Sequence, residues 1–198
     1  MRCVPRPGRP RSFDDDEVVD RAMDLFWRRG YGATSMRDLK DELGVLPGSL
    51  YGAFGDKHAL FLRALERYAE DTRDAAGDLA QGRQVLPRLR ALLAGVLDAA
   101  AEEPGRGCML GNTAAESLPA DTEATELVSD ALDALEAAIE RALERGRESG
   151  EVRDDVDAGA HARMLVALIQ GLHLVARVED DPARLEDAVE AALTPLTK

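Results

Sequence analysis

The sequence predicts an all-α protein with about nine helices. Aromatic residues make up only 4% of the 198 residues, whereas β-strands favour aromatic side chains. Helix-forming alanine, leucine, glutamate and arginine dominate the composition. Apolar residues recur at helical spacing, and no alternating strand pattern appears. The hydrophobic content of 45% indicates a globular chain rather than a disordered one.

The first helix follows a basic tail. Residues 1–12 contain three prolines and four arginines, which predicts a flexible arm rather than a helix. The acidic residues from Asp14 to Glu17 suit the positive end of a helix dipole, and an apolar stripe begins directly after them. Gly30 ends this helix.

Two short helices come next. We expect the first of them over residues 35–43, with Thr34 as its N-cap and Gly44 as a left-handed C-terminal residue. We expect the second over Pro47–Phe54, because the missing N–H of a proline would be unpaired at a helix start anyway.

The remaining helices are longer. The chain becomes rich in alanine, leucine and glutamate, and prolines and glycines separate its apolar stripes. Helices are expected over residues 57–76, 84–103, 108–117, 122–147 and 158–178, and from residue 182 onward.

The order of helices in residues 13–68 is typical of a helix-turn-helix domain, in which a short helix enters the major groove of DNA. Such a helix needs a small, polar outer face. The starts of the helices on either side can hold the flanking phosphates. The candidate contacts are Pro47, Gly48, Ser49, Tyr51 and Gly52 on the third helix, with Thr34, Ser35, Arg37 and Lys57 beside it.

The net charge of −13 at first argues against a nucleic-acid partner, because phosphate repels a negative protein. The charges are unevenly placed, however. Residues 1–62 hold ten basic and ten acidic side chains, and residues 63–198 hold 15 basic and 28 acidic ones. The neutral N-terminal part can approach DNA, and Arg9 and Arg11 are candidate contacts of the arm. The alternative is that the arm is merely a solvated terminus.

A set of residues within positions 13–65 carries a resemblance to a known family. The set is Ala22, Leu25, Phe26, Gly30, Tyr31, Thr34, Ser35, Leu39, Leu43, Gly44 and Val45, followed by GSLYGAFGDKHALF from Gly48 to Phe61. In these residues the chain resembles the TetR family of bacterial repressors. The resemblance implies a homodimer that binds a palindromic operator in double-stranded DNA and is released by a small molecule.

The resemblance also implies a division of the chain. Residues 1–12 would be a basic arm, residues 13–60 the DNA-binding domain, and residues 61–198 a helical domain for ligand binding and dimerisation. Two positions depart from the family pattern. Leu46 replaces the Ser or Thr that usually caps the recognition helix, and Lys40 replaces a small residue. Both departures bear on operator preference.

The segment GCMLGNTAAE mixes apolar residues with a thiol and with polar side chains, as a ligand pocket requires. It is similar to the corresponding helix of TetR-family members whose cysteine senses electrophiles or oxidants. A thiol at a helix N-terminus can be reactive, so Cys108 is either a sensor or a pocket or core residue. Polar residues in the helix over 158–178 are either ligand groups or satisfied core groups. The candidate pocket residues are Cys108, Met109, Asn112, Thr113, Glu116, Gln170 and His173.

The helix over residues 158–178 carries two apolar stripes, and one can face the core while the other faces a second subunit. One stripe consists of Met164, Ala167, Gly171, Leu174 and Val178. We assign the dimer interface to the other stripe and the last helix. The assigned residues are Leu165, Leu168, Leu172 and Val175, with Leu185, Val189 and Leu193.

Other function classes have less support. An enzyme is not expected, because no nucleophile elbow, phosphate loop or dinucleotide fingerprint occurs. His58, His161 and His173 lack metal-ligand spacing, so neither a metal nor a cofactor is expected. No signal peptide and no membrane span of about 20 apolar residues is apparent, which predicts a cytoplasmic protein. A helical scaffold that has lost DNA binding is the remaining alternative, and activation rather than repression also stays open.

Overall fold

The computed structural model describes residues 13–81, 84–117 and 119–197. These residues form nine α-helices and one 3-10 turn, and no strand occurs among them. The predicted all-α fold class is therefore confirmed. The predicted arm, with Arg9 and Arg11, lies outside the described residues.

The helices follow the predicted order, with differences at several ends. They are α1 (Asp15–Arg29), α2 (Met36–Leu43), α3 (Pro47–Phe54), α4 (Lys57–Gln81), α5 (Val85–Glu102), α6 (Met109–Ser117), α7 (Thr122–Ser149), α8 (Ala158–Val175) and α9 (Pro182–Leu193), followed by the 3-10 turn Thr194–Leu196.

Two helix ends differ from the prediction, one because a residue there is buried and the other because a residue there is exposed. The helix α4 continues past residue 76 to Gln81, since its last turns place Leu79 in an apolar core. The helix α8 ends at Val175 rather than at residue 178. Val178 is 82% exposed, so no apolar surface supports a further helical turn there.

The start of α2 corrects a predicted cap. The hydroxyl of Ser35, not that of Thr34, accepts the Asp38 N–H, and the Asp38 carboxylate accepts the Ser35 N–H at 2.9 Å. Such a capping box satisfies two helix-terminal N–H groups, whereas a single cap satisfies one. Thr34 is 1% exposed, and its hydroxyl donates to the Gly30 carbonyl at 2.7 Å. At the other end of α2, Gly44 has the predicted left-handed conformation, with φ of 68°.

The start of α3 agrees with the prediction that a side-chain cap is missing. Leu46 occupies the N-cap position without a side-chain hydrogen bond, and Pro47 is the first helical residue. The Leu46 carbonyl accepts the backbone N–H groups of Ser49 and Leu50 at 2.9 and 3.1 Å. The carbonyl of the N-cap residue thus begins the helix, whereas no side chain caps its first turn.

Two apolar cores share α4. The N-terminal core joins α1–α4 to α6 and the first half of α7, and the C-terminal core joins the end of α4 to α5, the rest of α7, α8 and α9. In the N-terminal core the Phe26 and Phe61 rings pack edge to face, with their centres 5.3 Å apart. Because α6 packs with the helix-turn-helix residues, the two cores do not separate at residue 60. The domain division at that residue stays a prediction.

The burial of α8 and α9 corrects most of the predicted dimer interface. Leu165 and Leu172 are 1% and 3% exposed, because they pack into the core of their own subunit. Leu168 is partly buried against the same core. Such residues have little or no surface left for a partner. The residues of α9 that are buried in the same core are Leu185, Val189 and Leu193.

The other stripe of α8 faces solvent. Met164 is 39% exposed and Leu174 66%. Val175, which belongs to the stripe assigned to the interface, is 43% exposed as well, so its place in the interface stays a prediction. By length and composition α8 is apolar enough to cross a membrane, with a mean hydropathy of 1.2. A core helix of a soluble protein passes the same test, and one face of α8 is indeed buried in the C-terminal core.

Candidate functional site

The outer face of α3 is small and exposed. Gly48, Ser49, Tyr51 and Gly52 lie on this face, whereas Leu50 is 2% exposed and faces the N-terminal core. A Cβ atom added to Gly48 or to Gly52 would meet nothing within 4 Å. The packing of this chain therefore does not require glycine at either position. Pro47, at the start of the helix, is partly buried.

The flanks of α3 hold two predicted phosphate contacts at the surface. The Arg37 side chain is 89% exposed, and its nearest carboxylate, that of Asp41, is 3.8 Å away. Ser35 is also exposed, although its hydroxyl takes part in the capping box. Thr34 has no exposed side chain to offer to a phosphate, so we leave it out of the candidate interface.

Lys57 has a role that differs from the predicted one. Its Nζ donates to the carbonyls of Tyr31 and Thr34, both at 2.9 Å, and lies 4.0 Å from the centre of the Tyr31 ring. The ammonium is therefore committed within the chain. Lys57 fastens the start of α4 to the turn between α1 and α2 instead of reaching outward.

A side-chain hydrogen bond joins the start of α4 to the start of α7. The Nε2 atom of His58 lies 2.8 Å from the Asp121 carboxylate, which also caps α7 by accepting the Ala124 N–H. Burial raises the pKa of Asp121, but the hydrogen bonds from Ala124 and His58 outweigh it, so the net pKa is lowered. No local sequence pattern indicates this contact, because 63 residues separate its partners.

Glu116 connects α6 to the turn between α1 and α2. Its carboxylate accepts the backbone N–H groups of Tyr31 at 3.0 Å and Gly32 at 2.6 Å. A Cβ atom on Gly30 or Gly32 would lie 2.9 or 2.8 Å from a carboxylate oxygen of Glu116. Glu116 also lines a cavity of about 310 Å³ that shares Trp27, Arg106 and Asn112 with neighbouring cavities, so its place in the ligand pocket stays a prediction. The two glycines on either side of Tyr31 were the signal in the sequence, since they permit such a close approach.

His173 lines three neighbouring cavities, which together we call the chamber. Their volumes are about 420, 330 and 380 Å³. The first two share Trp27, Tyr68, Leu92 and Val96, and the last two share Cys108 and Gln170. Sites for small molecules are typically mostly apolar spaces of this size with a few polar groups.

Most of the surface that lines the chamber is apolar, and polar and charged side chains interrupt it. The Gln170 Oε1 atom is buried and accepts no hydrogen bond within the described residues. Gly111 makes room for it, because a Cβ atom there would lie 2.7 Å from that oxygen. Burial lowers the pKa of His173, which favours the neutral imidazole. A ligand that donates a hydrogen bond would satisfy the Gln170 oxygen.

Cys108 lies at the same wall. It is 6% exposed, and its Sγ accepts a hydrogen bond from the Tyr68 hydroxyl at 3.6 Å. Burial raises the pKa of Tyr68, and the neighbouring Cys108 adds to the effect. Asn112 also lines the chamber, whereas the buried residues Met109 and Thr113 do not. Cys108, Asn112, Gln170 and His173 are thus the predicted pocket residues that the structure brings together.

The chamber also reaches α1. The Arg106 guanidinium stacks 3.7 Å from the centre of the Trp27 ring, and its NH2 atom contacts the Asp24 carboxylate at 2.6 Å. The Trp27 indole donates to the Gly107 carbonyl at 2.9 Å. These contacts place the loop between α5 and α6 against the end of α1. Within the described ranges, no group of three or more potential metal ligands occurs.

Comparisons with known proteins cover almost the whole chain. Residues 18–64 match the family model described as bacterial regulatory proteins of the tetR family, and residues 85–192 match the tetracyclin repressor-like C-terminal domain. The chain belongs to the TetR family. Its members are DNA-binding transcriptional regulators with a helix-turn-helix domain, and as a family they are generally not enzymes.

Individual TetR-family relatives agree with this assignment. The chain is 33% identical to the uncharacterized regulator YezE of Bacillus subtilis over 96% of the chain and 99% of that protein. It is 30% identical to the repressor ComR of Escherichia coli over 98% of the chain and 93% of that protein. The structure of a CifR cysteine mutant with a 26-base-pair operator matches 96% of this chain and 100% of its own, with a TM-score of 0.80 and 29% identity.

Proposed function

We propose that this TetR-family protein is a dimeric repressor that binds a palindromic operator through α3 and releases it when a small molecule enters the chamber. The observation that carries the proposal is the position of α6. Gly111 and Asn112 of this helix line the chamber, as does Cys108 directly before it, and Glu116 holds the turn at Tyr31 and Gly32. A ligand that displaces α6 would therefore act directly on the DNA-binding part.

The ligand is proposed to be mostly apolar, with at least one hydrogen-bond donor. Trp27, Leu92 and Val96 supply apolar wall, and the buried Gln170 oxygen needs a donor. Charged side chains line the same cavities, among them Glu103 and Arg106, so the net charge of the ligand is left open.

Dimerisation is proposed to use the exposed stripe of α8. Leu174 and Val178 are 66% and 82% exposed, and large apolar side chains clustered at a surface mark interaction sites. The replacement Leu174→Asp should yield a monomer with unchanged helix content, measured by light scattering and circular dichroism. A dimer that survives this replacement at micromolar concentration would place the interface elsewhere.

The direct test of operator binding uses fluorescence anisotropy with a palindrome from the DNA upstream of the gene for this protein. Tight binding at low salt, with a steep loss as salt increases, is expected for a protein that neutralises several phosphates. Binding that does not exceed that of a scrambled duplex would refute the proposal. Because a bacterial repressor acts on DNA, we propose that the protein works in the cytoplasm.

A second candidate trigger is covalent reaction at Cys108. The hydrogen bond from Tyr68 to the Sγ atom and the position of this thiol at two cavities favour it. In a Cys3→Ser background, N-ethylmaleimide should alkylate Cys108 and release the operator. The matched variant with Cys108→Ser as well should stay bound. Release in both proteins, or in neither, would exclude this trigger.

A further inference from the structure

Leu46 stands at the start of α3 with most of its side chain in solvent. Its exposed fraction is 68%, which exceeds the 50% of Tyr51. An N-cap position favours Ser, Thr, Asp or Asn, and Leu46 makes no capping hydrogen bond. Neither burial nor capping therefore accounts for a leucine at this position.

Part of the surface of α3 carries no side chains, because glycine occupies two of its positions. Gly48 and Gly52 lie about one helical turn apart, neither has a positive φ, and an added Cβ atom on either would meet nothing within 4 Å. Alanine would fit both sites and would favour the helix. The glycines leave the helix backbone open to close approach by another surface. Leu46, at the N-terminus of the same helix, offers a large exposed aliphatic group to that surface.

DNA has a matching group. The C5-methyl of thymine is the apolar feature that base edges present in the major groove. The N-terminal residues of a recognition helix are those that contact base edges. We propose that Leu46 contacts a thymine methyl in each operator half-site and thereby selects thymine at that position. This inference rests on the operator binding proposed above.

The test removes the methyl from the DNA. An operator is first selected from a random duplex pool with the full chain. Each thymine of a half-site is then replaced by deoxyuridine, which lacks the C5-methyl but pairs in the same way. For the wild-type protein, one replacement should weaken binding about fourfold, and the replacement in both half-sites about fifteenfold, as expected for the loss of one buried methyl at each site.

Variants at Leu46 test the same contact from the side of the protein. Leu46→Ala should bind the thymine and deoxyuridine operators equally, whereas Leu46→Met keeps an apolar side chain and should still discriminate. Leu46→Ser supplies the missing N-cap, so it should lose discrimination while its melting temperature rises, which separates DNA reading from folding.

Two results would overturn the inference. One is a wild-type protein that tolerates every deoxyuridine replacement, and the other is a Leu46→Ala protein that discriminates as strongly as the wild type. If the chain selects no DNA sequence at all, operator binding itself is refuted. The contact of Leu46 with thymine is then refuted as well.

Discussion

Replacing Glu116 by glutamine tests the connection between the chamber and the DNA-binding part. Glutamine has the same shape, but it is neutral, and only one of its two terminal atoms can accept a hydrogen bond. Of the two bonds at 3.0 and 2.6 Å, at least one is lost and the other is weakened. Hydrogen bonds to charged groups contribute about 1.5–3 kcal/mol, and because Glu116 is exposed we use the lower end, about 1.5 kcal/mol.

Amide hydrogen exchange measures this loss locally. The amides of Tyr31 and Gly32 should exchange about tenfold faster in Glu116→Gln, since about 1.4 kcal/mol corresponds to a factor of ten in an equilibrium constant. Glu126→Gln, at an exposed position on α7, is the matched control and should leave both amides unchanged. Unchanged exchange of both amides in Glu116→Gln would refute the reasoning.

Three further changes have defined outcomes. Gly52→Ala should stabilise the free protein by up to about 1 kcal/mol in thermal unfolding, and it should weaken operator binding because its methyl faces the DNA; tighter binding would contradict this. Arg37→Ala should reduce the slope of log K against log salt by about 1, whereas Lys57→Met should leave that slope unchanged while lowering the melting temperature. Because the pKa of Asp121 is lowered from 3.8, the stability it contributes is complete above that pH and is lost as the pH falls through its folded pKa. Urea titrations should therefore show a smaller acid loss for Asp121→Asn, and an equal loss would refute the role of the pair.

Much of the fold was predictable because its signals are local. Prolines, glycines and the spacing of apolar residues are short-range features, and they predicted the order of the helices and the outer face of α3. The burial of Leu50 and the exposure of Tyr51 followed from helical spacing alone.

The choice between the two stripes of α8 was not predictable in this way. Both stripes are apolar and both have helical spacing, so the sequence alone does not distinguish the core face from the outer face. The packing of α8 against α5 and α7 determines which stripe faces the core. It buries Leu165 and leaves Leu174 exposed. The shape of the rest of the molecule thus determines which stripe a partner can reach.

The roles of Lys57 and Glu116 were missed for a related reason. Lys57 was expected to contact DNA and Glu116 to line the ligand pocket, but both residues bind backbone groups of the segment from Tyr31 to Thr34. Those partners lie 23 or more residues away in sequence. Only the folded arrangement of α1, α4 and α6 brings them within reach.

The sharing of α4 between the two cores makes this helix a lever arm. Its 25 residues span about 37 Å at 1.5 Å per residue. A tilt of about 5° about one end would move the other end by about 3 Å over that length. Recognition helices of a dimer must stand about 34–36 Å apart to reach successive major grooves. Small rotations near Ala76 would thus be magnified at Lys57 into a mismatch with the period of the double helix.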